Sequence, residues 1–347
     1  MPNQNEIKVP IPLLNHDGTL KEEGWARRPY WSYKRSSIPV SKWRIKEWDY
    51  YSVLSHDGLY GITLTMSDLG YAGLFAICFL DFQEKSFHQI DTLSILPLGK
   101  TGFPESDDTG SISFSDKKLS LSYEYTKGKR LLRFSSPHLQ DGKGGKGISG
   151  QVVLHQSPDL ESMTIATSWK ENRRAFYHNT KINCMPAEGK FTIGDRKFSF
   201  SKEKDFGALD WGRGVWTYKN RWYWSSASGS LNGNSFGFNL GYGFTDRAPA
   251  SENVLLFQNK IHKLDLVEFH IDTGNYMNPW KFTSNDKRLE LDFTPLVDRN
   301  SSLNLGILKS IQHQVFGYFN GTAVLDDGTV VQVKNFLGFA EDVLNHF

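Results

Sequence analysis

Alternation of apolar and polar residues, recurring along almost the whole chain, is the feature that most limits what this sequence can fold into. Leu119, Leu121, Tyr123 and Tyr125 alternate with Ser120, Ser122 and Glu124, and the turn at Gly128 leads into a second run over 131–134. Met163, Ile165, Thr167 and Trp169 repeat the pattern. So do Phe198 with Phe200, Val267 with Phe269 and Ile271, and Leu289 with Leu291 and Phe293. Successive side chains of a strand point to opposite faces, so a period of two marks strands with one face buried. Near the end, Val324 and the Asp326-Asp327-Gly328 turn precede another run over 330–333, which reads as a hairpin. Turns recur at the spacing of a sandwich or barrel rather than of a parallel α/β layout.

Helical patterning is scarce. The best candidate is the tail, 336–347, where Phe336, Ala340, Leu344 and Phe347 would share one face. The stretch 67–74 admits either reading. A glycine-rich segment, 138–150, reads as a mobile hairpin loop. It lacks the Gly-Lys-Ser/Thr ending of a phosphate-binding loop.

A length of 347 residues favours two domains. The turn-rich region 185–204 is the natural boundary, giving an N-terminal half of 1–190 and a C-terminal half of 191–347. Aromatic residues make up 14 % of the chain, beside 31 glycines, a mixture that suits sheet faces and pocket walls joined by tight turns. The net charge of +2 and the dispersed Lys and Arg argue against nucleic acid as a partner. Residues 1–12 lack the apolar core of a signal peptide, and no run of 18 apolar residues predicts a membrane span. With no export signal, Cys78 and Cys184 read as buried free thiols and the protein as cytoplasmic.

Three groups of residues bear on chemistry. In 44–51, a strand would place Glu47, Asp49 and Tyr51 on one face and Lys46, Trp48 and Tyr50 on the other. Two carboxylates roughly 7 Å apart raise one pKa if they share a dry cavity. The competing reading is a solvated face with Trp48 in the core. The second group, 205–242, is the foremost site candidate. Gly207, Gly212 and Gly214 predict sharp bends around Asp210 and Arg213, and an Asp–Arg pair in such a turn would keep the carboxylate ionised. Asp205, Trp211, Trp222, Tyr223, Trp224 and Tyr242 surround that turn in sequence. The strand that follows sets Gly237, Asn239, Gly241 and Gly243 opposite a row of large apolar residues. Such a face leaves room for a ligand or for another backbone packed close. The bland alternative is a barrel core with an Asp–Arg staple. The third group is the histidines. His178, beside Tyr177 and near Lys181, could serve as an acid–base group, though a lone histidine more often plays a structural part; His262, Glu268 and His270, a conceivable metal set, lie on the solvent side of their strand. No metal and no cofactor is expected.

Several stretches together resemble the bacterial domain of unknown function 2804: Gly24-Trp-Ala-Arg-Arg-Pro29, Lys46-Glu-Trp-Asp-Tyr-Tyr51, Asp210-Trp-Gly-Arg213, Trp222-Tyr-Trp224, Glu252-Asn253 with His262-Lys-Leu264, and Gly338-Phe-Ala-Glu341. That family is similar to the two-barrel lipocalin-like group, which includes carotenoid hydratases, tocopherol cyclases, fungal cyclisation enzymes and ceramide-handling survival factors. The resemblance implies an all-β chain of two consecutive lipocalin-like (calycin-type) antiparallel barrels with few short helices. It also implies a ligand cavity in or between them and no redox cofactor. The Glu-Trp-Trp-Tyr type signature of some relatives is replaced by Glu47-Trp48-Asp49-Tyr50 in this chain, so no catalytic acid carries over residue by residue.

Two functions follow as expectations. The first is cofactor-free acid–base chemistry on a largely apolar small molecule: hydration, cyclisation or isomerisation. Asp210 would be the proton-transfer group and Glu47 and Tyr223 its support. Trp48, Asp205, Trp211, Arg213, Trp222, Trp224, Asn239 and Tyr242 would bind the ligand. The second is a non-catalytic carrier of a lipid-like molecule. A carbohydrate-active protein ranks lower, because the alternation favours closed barrels over an open groove.

Overall fold

The computed structural model describes residues 4–126, 128–304 and 309–346. Two curled antiparallel sheets, each a half-barrel around its own core, account for almost all of the chain. The first sheet has 13 strands, and its main path runs from Ser86–Ile95 through Ala72–Asp81, Tyr60–Asp68, Ile45–Leu54, Phe206–Val215, Asn172–Ile193, Lys146–His155, Lys129–Gln140 and Ser120–Thr126 to Gly110–Ser115. The second has nine strands, with Lys219–Leu231 and Val330–His346 at its centre. The expected hairpins are present, Ser120–Thr126 with Lys129–Gln140 and Lys309–Val324 with Val330–His346.

Three expectations are corrected. The tail is strand, not helix: Val330–His346 pairs on both sides, with Lys219–Leu231 and with Lys309–Val324 (Phe347 lies outside the described residues). Its apolar residues satisfy a helical period, yet two neighbouring strands offer hydrogen bonds to every second residue, and tertiary pairing overrides the local pattern. The glycine-rich loop is confined to 141–145, where Asp141 Oδ1 accepts from the Lys143 and Gly145 amides at 2.9 and 2.8 Å, and both flanking strands continue the sheet. Finally, Arg196–Phe200 and Phe206–Val215, expected in the second half, pair in the first sheet, which the chain leaves only between Val215 and Lys219.

The outer faces of the two sheets meet in a seam. Tyr50, Cys78, Leu80 and Phe82 from the first pack with Trp224, Val297, Phe316 and Phe339 from the second. Each such buried ring or aliphatic chain contributes about 1.5–3 kcal/mol of burial free energy. A bulge in Asn172–Ile193 pins the seam. The register shifts between Ile182 and Met185, and Cys184 sits there in the left-handed region at φ 57°. The bulge drives Asn183 into the second sheet, where its Nδ2 reaches Ser226 Oγ at 2.8 Å and the Phe238 carbonyl at 3.2 Å. The Cys184 thiol donates to the Phe236 carbonyl at 3.0 Å. Gly237 makes this approach possible, since a Cβ there would collide with Cys184 Sγ. Both cysteines are buried and free. Among the described residues, no helix is long and apolar enough to cross a membrane.

Candidate functional site

The segment around Asp210 is a straight central strand, not a turn. Phe206–Val215 pairs with Ile45–Leu54 on one side and Asn172–Ile193 on the other. Its glycines serve packing rather than bending. A Cβ at Gly212 would fall inside the Trp48 indole, and one at Gly214 would strike the Phe176 carbonyl. Because the strand is straight, Asp210 and Arg213 project from opposite faces and the expected pair does not form.

Arg213 points into the first half-barrel with Trp211. There it is fully buried and donates to Asp49 Oδ1 at 3.0 Å and to the Trp48, Gly212 and Pro104 carbonyls. Its guanidinium lies 4.0 Å from the Trp211 ring centre. Glu47 and Asp49 do share one face, as the alternation predicts. Tyr33 donates to Glu47 Oε1 at 2.8 Å, Arg35 pairs with Glu47 Oε2, and Tyr125 donates to Asp49 Oδ2. Burial pushes the Glu47 carboxyl up, opposed by Arg213 and Arg35. Satisfied on both oxygens and walled off from Asp210 by the sheet, Glu47 belongs to a charge knot that fills a barrel interior.

The other face of the same three strands opens onto the seam and gathers the chemistry. Cross-strand register aligns Tyr50, Asp210 and Lys181 in one row and Trp48, Gly212 and Asn179 in the next. Asp210 Oδ1 receives Lys181 Nζ at 3.0 Å and Asn179 Nδ2 at 2.5 Å. The Lys181 ammonium stands 3.8 Å from the Trp224 ring centre. From the second sheet, Trp222 Nε1 donates to Glu341 Oε1 at 2.9 Å, and Gln314 Nε2 to Glu341 Oε2 at 3.2 Å. Trp224 Nε1 donates to Asn239 Oδ1 at 2.6 Å, and Asn239 Nδ2 in turn to the Glu252 carbonyl at 2.8 Å and Glu252 Oε2 at 3.3 Å. Trp48 stacks on Tyr177, with ring centres 6.2 Å apart, and meets Trp216 edge-on. The result is a buried cluster of three carboxylates and one ammonium surrounded by aromatic rings.

The electrostatics follow from this placement. Burial pushes Glu341 up to about 7, assisted by the Asp210 charge and opposed by the Trp222 hydrogen bond and Lys181. Burial also raises Glu252, with Lys181 and Asn239 acting against it and Asp210 with it. Tyr177 is raised well above the ordinary phenol range by burial, by the charges of Glu252, Asp210 and Glu341, and by its hydrogen bond to Glu252. A carboxyl with its midpoint near neutrality beside an ion pair is the equipment of general acid–base catalysis. Trp48, Trp222 and Glu252 are each half-buried at the margin of this cluster.

The remaining candidates lie elsewhere. Tyr223 and Tyr242 face the interior of the second half-barrel, stacked with ring centres 4.6 Å apart, because Tyr223 alternates with the seam-facing Trp222 and Trp224. Asp205 organises a turn, accepting the His56 and Ser201 amides at 2.7 Å each. His178 is buried against Trp31 and Trp211, and burial pushes it down to about 4. His262 lies beside Asp326, while His270 bonds Thr283 Oγ1 at 2.9 Å, so the two do not converge with Glu268. Of the expected site residues, the seam therefore unites Asp210, Trp48, Trp222, Trp224 and Asn239. Glu47, Trp211, Arg213, Asp205, Tyr223 and Tyr242 are not among them.

Sequence reasoning missed Asn179, Lys181, Glu252 and Glu341. A signal for the first two existed. Tyr177, Asn179, Lys181 and Asn183 set an unbroken polar stripe along one face of a strand whose other face mixes Phe176 and Ile182 with His178 and Thr180. Glu252 and Glu341 stand in stretches that carry the family resemblance, but nothing local marks either as facing a cavity.

No curated protein sequence matches this chain. Among solved structures, it is similar in fold to CghA in complex with Sch210972 (TM-score 0.53, 11 % identity, 87 % of this chain and 88 % of that one). It is similar also to a protein designated AttH from Nitrosomonas europaea (TM-score 0.51, 12 % identity, 86 % and 92 %). Kievitone hydratase from Nectria haematococca is a third such neighbour (TM-score 0.50, 12 % identity, 87 % and 88 %). These are two-barrel lipocalin-like proteins, and at such identities the likeness is one of fold. Over residues 4–347 the sequence matches the family described as Domain of unknown function (DUF2804), and the chain belongs to that family.

Proposed function

We propose that the seam carries out cofactor-free acid–base chemistry on a largely apolar small molecule, a hydration, cyclisation or isomerisation. Glu341 is the proton donor in this reading. Asp210, held by Lys181 and Asn179, is the carboxylate that receives a proton or faces a developing positive charge. The tryptophan walls hold the apolar body and stabilise such a charge through their π faces. The observation that carries the reading is the Glu341 carboxyl, pushed up to about 7 by burial and set opposite the Asp210–Lys181 pair. That one fold neighbour is named a hydratase agrees with it. Asp210 keeps the central role expected from sequence, whereas Glu47 and Tyr223 give way to Glu341 and Glu252.

The test begins with mass spectrometry of small molecules extracted from the purified protein, followed by incubation of the molecule found with wild type, Glu341→Gln and Asp210→Asn. Conversion by wild type, lost in Glu341→Gln, supports the assignment. Binding without conversion makes the protein a carrier, full turnover by both variants removes Glu341 and Asp210 from the chemistry, and a glycan would replace the substrate class.

A further inference from the structure

The surface nearest the seam's carboxylates bears on what kind of molecule the seam would take. A groove of about 600 Å³ lies at one end of the seam, and Phe244 is part of its wall. The Phe244 ring is packed among Trp169, Tyr177, Trp216 and Trp222, with ring centres 5.0–5.2 Å away. Two of those partners lead directly to the carboxylates, Tyr177 to Glu252 and Trp222 to Glu341. Phe244 thus lies between the groove and the carboxylate cluster. It sits on an irregular segment after Asn234–Tyr242, beside Gly243 at φ 92°, and Glu252 closes the same segment.

The charge around this mouth is uneven. Lys170, Lys219, Arg221 and Arg247 line it against Glu171 and Asp246, a local surplus of two positive charges (four minus two) in a chain whose whole net charge is +2. Asp246 is already engaged by Arg173 at 2.9 Å, and Arg221 by Asp342 at 2.6 Å. Lys219 and Arg247 have no ion-pair partner among the described residues; Arg247 rests over the Tyr242 ring at 5.3 Å. Concentrating unpaired cations in a groove backed by an aromatic cluster creates a field that draws anions and orients a molecule with charge at one end only.

On the acid–base reading of the seam, we infer that its substrate is an anionic amphiphile. Its carboxylate or similar oxyanion head is held at the groove by Lys219 and Arg247, and its apolar body passes Phe244 to reach Glu341 and Asp210. A neutral hydrocarbon would leave the two cations unused, and a cationic substrate would be repelled at the mouth.

Binding of dodecanoate, dodecanol and dodecyltrimethylammonium, each below its micellar concentration, is followed by tryptophan fluorescence at low ionic strength. Two partly exposed charge contacts favour dodecanoate over dodecanol by about five- to tenfold. The preference should shrink with added salt, and in the Lys219→Gln/Arg247→Gln double variant it should vanish while dodecanol affinity holds. Equal or tighter binding of the alcohol or the ammonium overturns the inference. So does a carboxylate preference that survives in the double variant, or binding to phosphatidylglycerol vesicles in place of monomeric dodecanoate. Absence of binding by all three probes also overturns it, without touching the acid–base assignment, which is judged on the extracted molecule. Conversely, the dodecanoate preference persists in Glu341→Gln if only the acid–base reading is wrong.

Discussion

Replacing Glu341 by Gln changes how stability depends on pH, and the change can be worked out from one carboxyl. In the folded protein burial raises Glu341 from its ordinary value of 4.5 to about 7. In the unfolded chain it titrates near the ordinary value. Between these two values the folded state holds a proton that the unfolded state has released, so unfolding is increasingly favoured as pH rises through the window. The stabilisation is complete below about 4.5 and lost above about 7. At about 1.4 kcal/mol per pH unit over that window, the ionised buried carboxylate costs ~3 kcal/mol at pH 8 relative to pH 4. Gln keeps the shape, accepts from Trp222 Nε1 as Glu341 does, and does not titrate. Urea unfolding of both proteins between pH 4 and 8, followed by far-ultraviolet circular dichroism, should therefore show Glu341→Gln gaining ~3 kcal/mol on wild type across the range. Glu252 is raised for the same reason, but it is present in both proteins and largely cancels in the difference. A difference that stays flat across the range would mean that Glu341 is ionised throughout, and the proton-donor role would fall with it.

Lys181→Met leaves the Asp210 carboxylate, only 7 % exposed, with Asn179 alone and with Glu252 and Glu341 nearby; unfolding at pH 8 should show a loss of ~3–5 kcal/mol, most of it recovered in Lys181→Met/Asp210→Asn. Gly212→Ala forces the Trp48 indole out of its place against the strand; a loss of ~1–3 kcal/mol with a red-shifted tryptophan emission is expected, and unchanged emission would contradict the packing. Asn183→Ala removes the amide that joins the first sheet to Ser226 and Phe238 of the second and leaves the Phe238 carbonyl short of a donor. A cost of ~1–3 kcal/mol, measured in urea, is expected.

Much of this protein is written in its sequence. The period-two runs fix the strands, as at 119–125 and 163–169, because a strand with one wet and one dry face must alternate whatever it pairs with. The Asp326-Asp327-Gly328 turn fixes its hairpin, since Gly328 adopts φ 86°, where other residues are strained. Alternation also foretells that Glu47 and Asp49 share a face and that Trp222 and Trp224 share another.

What the sequence leaves open is which face meets what, and there the tertiary structure decides. Glycines at 207, 212 and 214 suit a bent turn or a straight strand crowded by neighbours equally well; only the Trp48 ring and the Phe176 carbonyl select the strand. That choice sends Asp210 to the seam and Arg213 into the half-barrel, so two residues three apart never meet. The tail shows the same dependence, since its apolar residues satisfy a helix until two open strand edges claim their backbone. The seam cluster joins Lys181, Asp210, Glu252 and Glu341, which stand far apart in sequence and are brought together by the packing of two sheets. Local pattern determines which elements form. The pKa of Glu341 depends on burial and on the Asp210 charge, and both exist only once the sheets have met.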